Sequence, residues 1–141
     1  MAKVTYGSGT KEDPWKLKTP PGSAEFLAWR DEEHDPARLV IRVGSTELSY
    51  QLRGIDDLNH MLIECGDWVP LGNADEGKPV KAGTVEAWAR DTANPVGGYY
   101  GLRKGYRGRF ANYVSPVLEQ MGLVELEHNA RNNRVRAVSN N

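Results

Sequence analysis

A glycine-spaced loop over residues 97–109 constrains the folding of this chain more than any other feature. Tyrosine and basic residues separate its glycines, which stand at Gly97, Gly98, Gly101, Gly105 and Gly108. Because glycine adopts backbone angles and close contacts that other residues avoid, this loop is predicted to be irregular. A helical pattern and then a strand–turn–strand pattern follow it. The last third of the chain therefore predicts the order loop, helix, hairpin.

The helix after the loop combines a clear apolar face with one discordant residue. Its apolar face consists of Phe110, Val114, Val117, Leu118 and Met121. Pro116 lacks the N–H that would bond the carbonyl of Asn112, so the pattern predicts either a kinked helix or one that begins afresh near Ser115. Strands over residues 123–128 and 134–138 then pair around a polar turn.

The first part of the chain predicts an antiparallel sheet with a helix on one face. Glycine and proline limit regular structure in residues 1–24, which are interpreted as an ordered arm. Three strands are predicted, over residues 25–30, 38–43 and 46–52. Gly44 and Ser45 suit a two-residue turn between the last two strands. A helix over residues 55–65 is predicted to cover the sheet, with its apolar stripe formed by Ile55, Leu58, Leu62 and Cys65.

Together these elements predict an α+β fold in a single domain over residues 1–141. A shorter helix begins at Thr84, whose side chain caps it, and ends before Pro95. The polar segment 72–83 is the predicted boundary between two sub-lobes. Residues 1–76 would hold the arm, the three-stranded antiparallel sheet and its covering helix. Residues 77–141 would form a helical lobe that ends in a β-hairpin and has winged-helix character.

Charge is distributed unevenly along the chain. Residues up to Pro95 contain 11 Lys and Arg against 16 Asp and Glu, whereas the residues from Val96 onward contain 7 against 3. A basic C-terminal half favours a polyanionic partner such as DNA. Unlike charges on the two halves could equally attract each other or a second copy of the chain, which makes a homo-oligomer the alternative.

The helix at about 106–121 with its hairpin resembles the recognition helix and wing of winged-helix proteins. The resemblance implies that Arg109 and Asn112 face a DNA groove, and that arginines of the wing and the loop contact phosphate. The candidate nucleic-acid-binding residues are Arg103, Lys104, Arg107, Arg109, Asn112, Arg131, Arg134 and Arg136. Against this, Pro116 interrupts the helix, and Glu119 shares a face with Arg109. A helix and hairpin that only close the core are the alternative.

The glycine loop also suits a nucleotide or another small ligand. Its backbone amides and the N-terminus of the following helix could hold a phosphate over residues 97–108. The spacing matches neither a P-loop nor the dinucleotide-binding glycine motif. A glycine-rich turn that serves only the chain geometry is therefore the competing interpretation.

No catalytic or metal-binding constellation stands out. Asp56, His60 and Glu64 follow one another at intervals of four residues on the polar side of the first helix, a spacing that could hold a divalent cation. Metal sites usually recruit ligands from a second element as well, and the pattern supplies none, so a solvated helix face is the alternative. We expect no metal, no cofactor and no catalytic residue, and the chain reads as a binding protein rather than an enzyme.

Cysteine content and hydropathy bear on location. Cys65 is the only cysteine, which excludes an intrachain disulfide and fits a reducing compartment. No apolar run approaches the roughly 20 residues of a membrane span, and the first residues lack the apolar core of a secretory signal. A cytoplasmic protein without a membrane partner is predicted.

Short phrases spread over nearly the whole chain carry a family resemblance. They are GTKEDPW at 9–15, VGSTEL at 43–48, IDDL at 55–58, GDWVPLG at 66–72 and EHNARNNR at 127–134. With them the chain resembles a family of small bacterial proteins, mostly from actinobacteria, that carry no assigned activity. The resemblance implies an intact protein of the bacterial cytoplasm, and it supplies no catalytic or binding residues.

Three functional hypotheses remain open. The leading one is a small nucleic-acid-binding protein that uses the basic loop, the helix and the wing. The second is a protein-interaction or self-assembly module, in which the acidic part of one copy meets the basic part of another. The third is a binder of a small ligand or nucleotide at the glycine loop over residues 97–108.

Overall fold

The computed structural model describes residues 7–138, which form seven strands and three helices. The elements in chain order are β1 (Trp15–Lys18), β2 (Glu25–Asp31), β3 (Arg38–Val43), β4 (Thr46–Gln51), α1 (Gly54–Cys65), β5 (Val69–Pro70), α2 (Val85–Trp88), α3 (Phe110–Gln120), β6 (Val124–Leu126) and β7 (Arg134–Ala137). The predicted α+β class, with an antiparallel sheet first and a hairpin last, is confirmed.

The first sheet is an antiparallel meander of four strands in the order β1-β2-β3-β4. Gly44 has a positive φ of 59° in the turn between β3 and β4, as the hairpin signal predicted. The predicted count of three strands was wrong, because part of the N-terminal arm forms β1. Trp15 of β1 is buried opposite Ala28 of β2, so burial of this indole accounts for a strand between two glycine- and proline-rich stretches.

The second sheet joins the C-terminal hairpin to a short strand from the middle of the chain. Its order is β5-β7-β6, and all its pairs are antiparallel. The predicted hairpin is confirmed as β6 and β7. Val69 of β5 pairs with Val135 of β7, an addition that the sequence did not predict.

Helix α1 matches its predicted span and packs against α3 and β7. Ile55, Leu58 and Leu62 are buried, and the helix ends at Gly66, whose N–H donates to the Leu62 carbonyl at 3.0 Å. Gly66 holds the left-handed conformation that favours glycine after a helix. Cys65 was expected to complete the buried stripe, but it is exposed, because it lies at the last position of the helix.

Helix α3 forms the centre of the molecule. It runs unbroken through Pro116, and every residue from Phe110 to Leu118 is buried. Its aromatic rings meet the first sheet edge-on, with Phe110 5.6 Å from Tyr50 and Tyr113 5.1 Å from Phe26. A recognition helix must present a face to the DNA groove, and α3 has no such face over these residues. The winged-helix arrangement is therefore not supported.

A hydrophobic cluster connects the two sheets and the three helices. It includes residues from both predicted sub-lobes, 1–76 and 77–141. The segment 72–83, predicted as a boundary, folds against the body instead: the Arg90 guanidinium donates to the carbonyls of Ala74 at 3.0 Å and Lys78 at 3.1 Å. None of the helices within residues 7–138 has the length and apolar character that a membrane crossing requires.

Candidate functional site

The structure separates the sequence-predicted binding residues into two places. Arg103, Lys104, Arg107 and Arg109 belong to the glycine loop, which contacts Asp75 and Glu76. Asn112, Arg131 and Arg134 line a cleft beside the tip of the hairpin. Arg136 lies beside Arg134, since both guanidinium groups contact the Trp68 ring, and it pairs with Glu125 at 3.0 Å. One continuous surface from loop to wing, as predicted, is therefore not formed.

The backbone amides of the glycine loop bind a carboxylate of the chain itself. The N–H groups of Gly105 and Arg107 donate to the same oxygen of Glu76, at 3.1 and 2.9 Å. The Arg109 guanidinium pairs with Asp75, which lowers the pKa of that carboxyl, and the Arg109 N–H donates to the Ala74 carbonyl at 2.8 Å. Two of the loop amides that were predicted to bind an anion thus bind the Glu76 carboxylate.

The start of α3 holds a second internal carboxylate. Glu86 is fully buried, accepts a hydrogen bond from the Ala111 N–H at 2.9 Å, and pairs with Arg90 at 2.7 Å. Burial raises the pKa of Glu86, and the hydrogen bonds from Ala111 and Arg90 oppose that rise. A carboxylate at the positive end of a helix dipole is stabilising. The two parts of the predicted phosphate site, the loop amides and the N-terminus of α3, thus bind Glu76 and Glu86.

Two of the three predicted wing arginines have acidic partners on the hairpin. Arg134 makes paired contacts with Glu127, at 2.8 and 2.9 Å, and Arg136 pairs with Glu125. Both guanidinium groups also lie over the ring of Trp68, at 5.0 and 4.4 Å from its centroid. The outer face of the hairpin therefore carries balanced charge, in place of the basic surface that was predicted.

The cleft beside the hairpin tip is a cavity of about 760 Å³. Its walls are the segment 70–84, the turn at Pro20 and Pro21, and residues 130–134, with one contribution from α3. The lining contains no carboxylate. Its cationic and amide side chains are Lys81, Arg131, Arg134, Asn73, Asn112, Asn132 and Asn133. This concentration of cations and amides without an acid gives the cleft a positive, hydrogen-bonding character.

Asn112 is the contribution of α3 to this cleft. The residue is 8% exposed, its carboxamide makes no hydrogen bond within residues 7–138, and the two fully buried side-chain atoms without a partner in that range are instead Arg90 Nε and Ser115 Oγ. Pro116 stands four residues further on and has no N–H to donate to the Asn112 carbonyl. Since it is not among the fully buried atoms, the Asn112 carboxamide reaches the open space of the cleft, where it can donate to and accept from a ligand.

Hydrogen bonds hold the walls of the cleft together. The side chain of Asn133 accepts from the Asn129 N–H and donates to the Asn129 carbonyl at 3.0 Å, which shapes the hairpin tip. The Leu71 N–H donates to the Asn133 carbonyl at 3.0 Å and joins the tip to the opposite wall. Hydrogen bonds within the chain therefore fix the positions of the hairpin tip and the opposite wall.

His128 links the hairpin to the turn that forms another wall. Its Nδ1 lies 2.9 Å from the Pro20 carbonyl oxygen, and its Nε2 lies 2.6 Å from a Glu119 carboxylate oxygen. A carbonyl and a carboxylate only accept hydrogen bonds, so both ring nitrogens donate when the imidazole is protonated. Burial lowers the pKa of His128, but the bonds to Glu119 and Pro20 outweigh that effect and raise it.

A smaller cavity of about 420 Å³ lies beside the glycine loop. Val43, Leu48 and Tyr113 form its apolar part, while Asp75 and Arg109 contribute charges of both signs. The competing charges neutralise each other at this position. The larger cleft is therefore the better candidate for the functional site.

Comparison with known proteins agrees with the family resemblance. The profile described as Family of unknown function (DUF6855) matches residues 7–138. The chain belongs to this family. The resemblance to an uncharacterised family is thereby confirmed, while a bacterial source stays a prediction. No curated protein and no solved structure matches the chain.

The region matched by DUF6855 contains the whole cleft as well as Glu76 and Glu86. Residues 7–138 of this DUF6855 protein contain no group of three potential ligands arranged to hold a metal ion. Asp56, His60 and Glu64 are exposed on α1, with His60 and Glu64 3.4 Å apart. These three residues form a solvated helix face.

Sequence patterns identified only part of the DUF6855 cleft. Asn112, Arg131 and Arg134 were predicted, although in contact with DNA rather than in a cavity. No sequence pattern predicted that His128 lies beside the turn at Pro20 and Pro21, because these residues are more than 100 positions apart in the chain. Lys81 was part of the expected boundary segment, so its place in the cleft followed only from the fold.

Proposed function

We propose that the protein binds a small anionic ligand in the cleft between the hairpin tip, the segment 70–84 and the turn at Pro20 and Pro21. The observation that carries this proposal is a cavity of about 760 Å³ with three cationic side chains and no carboxylate in its lining. Small-molecule sites typically occupy roughly 300–1,000 Å³ and contain a few convergent polar groups. The chain as a whole has a net charge of −1, so the cleft is a local concentration of positive charge.

Two of the cations are available to a ligand. Lys81 and Arg131 are exposed, and within the described range neither side chain has a carboxylate partner. Arg134 is already paired with Glu127, so it would act on a ligand mainly through its electrostatic field and not through a direct hydrogen bond. Hydrogen bonds from Lys and Arg to an anionic oxygen are charge-assisted, and they are stronger than hydrogen bonds between neutral groups.

The test compares one charge reversal inside the cleft with one outside it. Inorganic phosphate, pyrophosphate and citrate are titrated into labelled protein, and backbone and side-chain amide shifts are followed by NMR. We expect shifts at residues 130–134. Arg131→Glu should weaken binding by about tenfold or more, because a charge-assisted hydrogen bond is lost. Lys104→Glu, on the glycine loop, should leave the affinity unchanged.

The proposal fails if none of the three anions shifts the cleft resonances. It also fails if the two charge reversals weaken binding equally, since the anions would then respond to overall charge. Thermal unfolding of both variants shows that each is folded before the titration is interpreted.

A second candidate is nucleic-acid binding through the glycine loop. Arg103, Lys104 and Arg107 have no carboxylate partner among residues 7–138, and Tyr106 is 45% exposed beside Arg103. Aromatic and cationic side chains together favour single-stranded nucleic acids. The helix and wing are not part of this candidate, because α3 is buried and Arg134 and Arg136 are paired.

Fluorescence anisotropy of labelled duplex and single-stranded oligonucleotides tests this candidate at about 50 and 200 mM salt, because phosphate contacts weaken steeply over that range. Lys104→Glu should reduce the affinity, and Arg131→Glu should not. The pair of variants thus serves both experiments with opposite expectations. Absence of binding at the lower salt concentration would exclude the second candidate and leave the cleft proposal unaffected.

A further inference from the structure

The two ends of the cleft differ in chemistry. Lys81 and Arg131 are exposed at its mouth, whereas Asn112 is 8% exposed and belongs to the buried helix α3. A ligand that satisfies both ends carries a negative charge at one end and a neutral hydrogen-bonding group at the other. Phosphate alone meets only the first requirement, and it occupies a small part of about 760 Å³.

The carboxamide of Asn112 determines which neutral group fits. It presents a donor and an acceptor side by side, and both are unpartnered within residues 7–138. The complementary group has an acceptor next to a donor on one edge. The edges of nucleobases have this arrangement, and asparagine pairs with adenine through it.

The lining of the cleft includes rigid apolar rings. Four prolines contribute to it: Pro20, Pro21, Pro70 and Pro79. A proline ring is apolar and conformationally fixed, and it has no N–H to leave unpaired when a ring covers it. Proline rings and a carboxamide in one lining are suited to a heterocycle.

We infer that the cleft binds a nucleoside monophosphate, with the phosphate at Arg131 and Lys81 and an edge of the base at Asn112. This inference rests on the proposed anion-binding function and assigns its ligand class. It does not involve the glycine loop, whose amides bind Glu76.

Calorimetric titration with AMP, GMP, CMP, UMP and ribose 5-phosphate tests the inference. Ribose 5-phosphate keeps the charge and the sugar and lacks the base. At least one nucleotide should bind about tenfold more tightly than ribose 5-phosphate, since a base edge adds hydrogen bonds to the Asn112 carboxamide. Asn112→Leu should remove this difference, so that the nucleotides bind no more tightly than ribose 5-phosphate.

Asn59→Leu on α1, outside the cleft, is the matched control and should change neither affinity. Asn112→Asp provides a second variant of nearly the same size if leucine disturbs the fold. It should also abolish or alter the preference among the bases, because a carboxylate only accepts hydrogen bonds.

The outcomes separate this inference from the proposed function. If ribose 5-phosphate binds as tightly as all four nucleotides, the base is not recognised and the inference is overturned, while anion binding stands. A base preference that persists in both Asn112 variants also overturns it. If neither the nucleotides nor ribose 5-phosphate bind, the inference and the proposed function fall together.

Discussion

Glu76 shows how one side chain decides what a glycine loop does. Its carboxylate accepts hydrogen bonds from the amides of Gly105 and Arg107, so the loop is anchored to a segment about 30 residues earlier in the chain. Without this carboxylate, those amides would be free for another anion. The loop is therefore a structural element in the native chain, although its composition is typical of a binding loop.

Replacing Glu76 should loosen the loop without unfolding the protein. We expect Glu76→Gln to lower the free energy of unfolding by about 1 kcal/mol, because the charge-assisted bonds become neutral ones. Hydrogen exchange at the Gly105 and Arg107 amides should accelerate, which NMR measures directly. Glu64→Gln on the exposed face of α1 is the control. Equal exchange in the native protein and both variants would contradict the role of Glu76.

His128 should make stability depend on pH near neutrality. Its folded-state pKa is raised above the ordinary value of 6.5, against the opposing effect of burial, by its bonds to Glu119 and Pro20. Its contribution is therefore complete below about pH 6.5 and is lost as the pH rises through the higher folded-state value. We expect the melting temperature to fall between pH 6 and 8, and His128→Gln to reduce that fall.

His60→Gln is the matched control for this measurement, because His60 lies exposed on α1 beside Glu64. Glu119 is the charged group whose hydrogen bond and negative charge raise the pKa of His128. An unchanged pH profile in His128→Gln would show that the raised pKa has no effect on folding.

At the scale of residues, the sequence showed which side chains have binding chemistry, but it did not show which side chains they contact in the fold. Asn112 and Arg131 were recognised as binding residues from their chemistry, and the cleft brings them together. Arg109 was recognised in the same way, but its partner Asp75 lies 34 positions earlier in the chain. Composition shows that a cation is present, whereas its availability depends on which carboxylate the fold brings beside it.

At the scale of elements, the junction of α2 and α3 combines burial with charge. Glu86 of α2 reaches the Ala111 amide at the start of α3, and Arg90 neutralises it while binding the carbonyls of the segment 74–78. The pair is nearly inaccessible to water, with side-chain exposures of 11% for Arg90 and 1% for Glu86. One ion pair therefore aligns two helices and one wall of the cleft.

Neutralising this pair should be costly. Glu86→Gln leaves the Arg90 charge buried without its counterpart, and we expect it to lower the free energy of unfolding by about 3 kcal/mol. Urea unfolding followed by tryptophan fluorescence measures the loss. Glu64→Gln should change the same quantity by less than about 0.5 kcal/mol, as surface substitutions usually do. Similar values for the two variants would contradict the role assigned to Glu86.

Periodicity predicted the longer elements and missed those that depend on pairing. The β3–β4 hairpin, α1 and the C-terminal hairpin follow from apolar spacing and turn residues. Strand β5 has two residues, Val69 and Pro70, and exists because β7 lies beside it. For α3 the predicted apolar face was correct except for Met121, which is 41% exposed just after the helix. Of the two outcomes predicted from Pro116, a helix that begins afresh near Ser115 was wrong, because α3 is continuous from Phe110 to Gln120.

At the scale of the whole molecule, acidic residues of the first part of the chain contact the basic later part. Asp75 and Glu76 of the acidic part meet the basic glycine loop, and Glu86 meets the start of α3. Attraction between the two halves was one of the interpretations of the charge pattern, and these contacts realise it. Association of two copies through unlike charges stays a prediction.

Because a hydrophobic cluster includes both sheets, we expect the protein to unfold in one cooperative transition. Far-UV circular dichroism and tryptophan fluorescence should then give coincident urea curves. Trp15, Trp29 and Trp68 lie in residues 1–76, and Trp88 lies in residues 77–141. Two separate transitions would instead support independent sub-lobes at 1–76 and 77–141.

The two amides that bind Glu76 also bear on how the function of such a chain can change in evolution. Loss of that one carboxylate leaves the loop sequence intact and its donors without an anion. A relative that differs from this chain at this position alone would already possess an unoccupied receptor for a phosphate or a carboxylate. A single substitution would then convert a structural loop into a ligand-binding loop. That substitution, at Glu76, lies outside the loop itself.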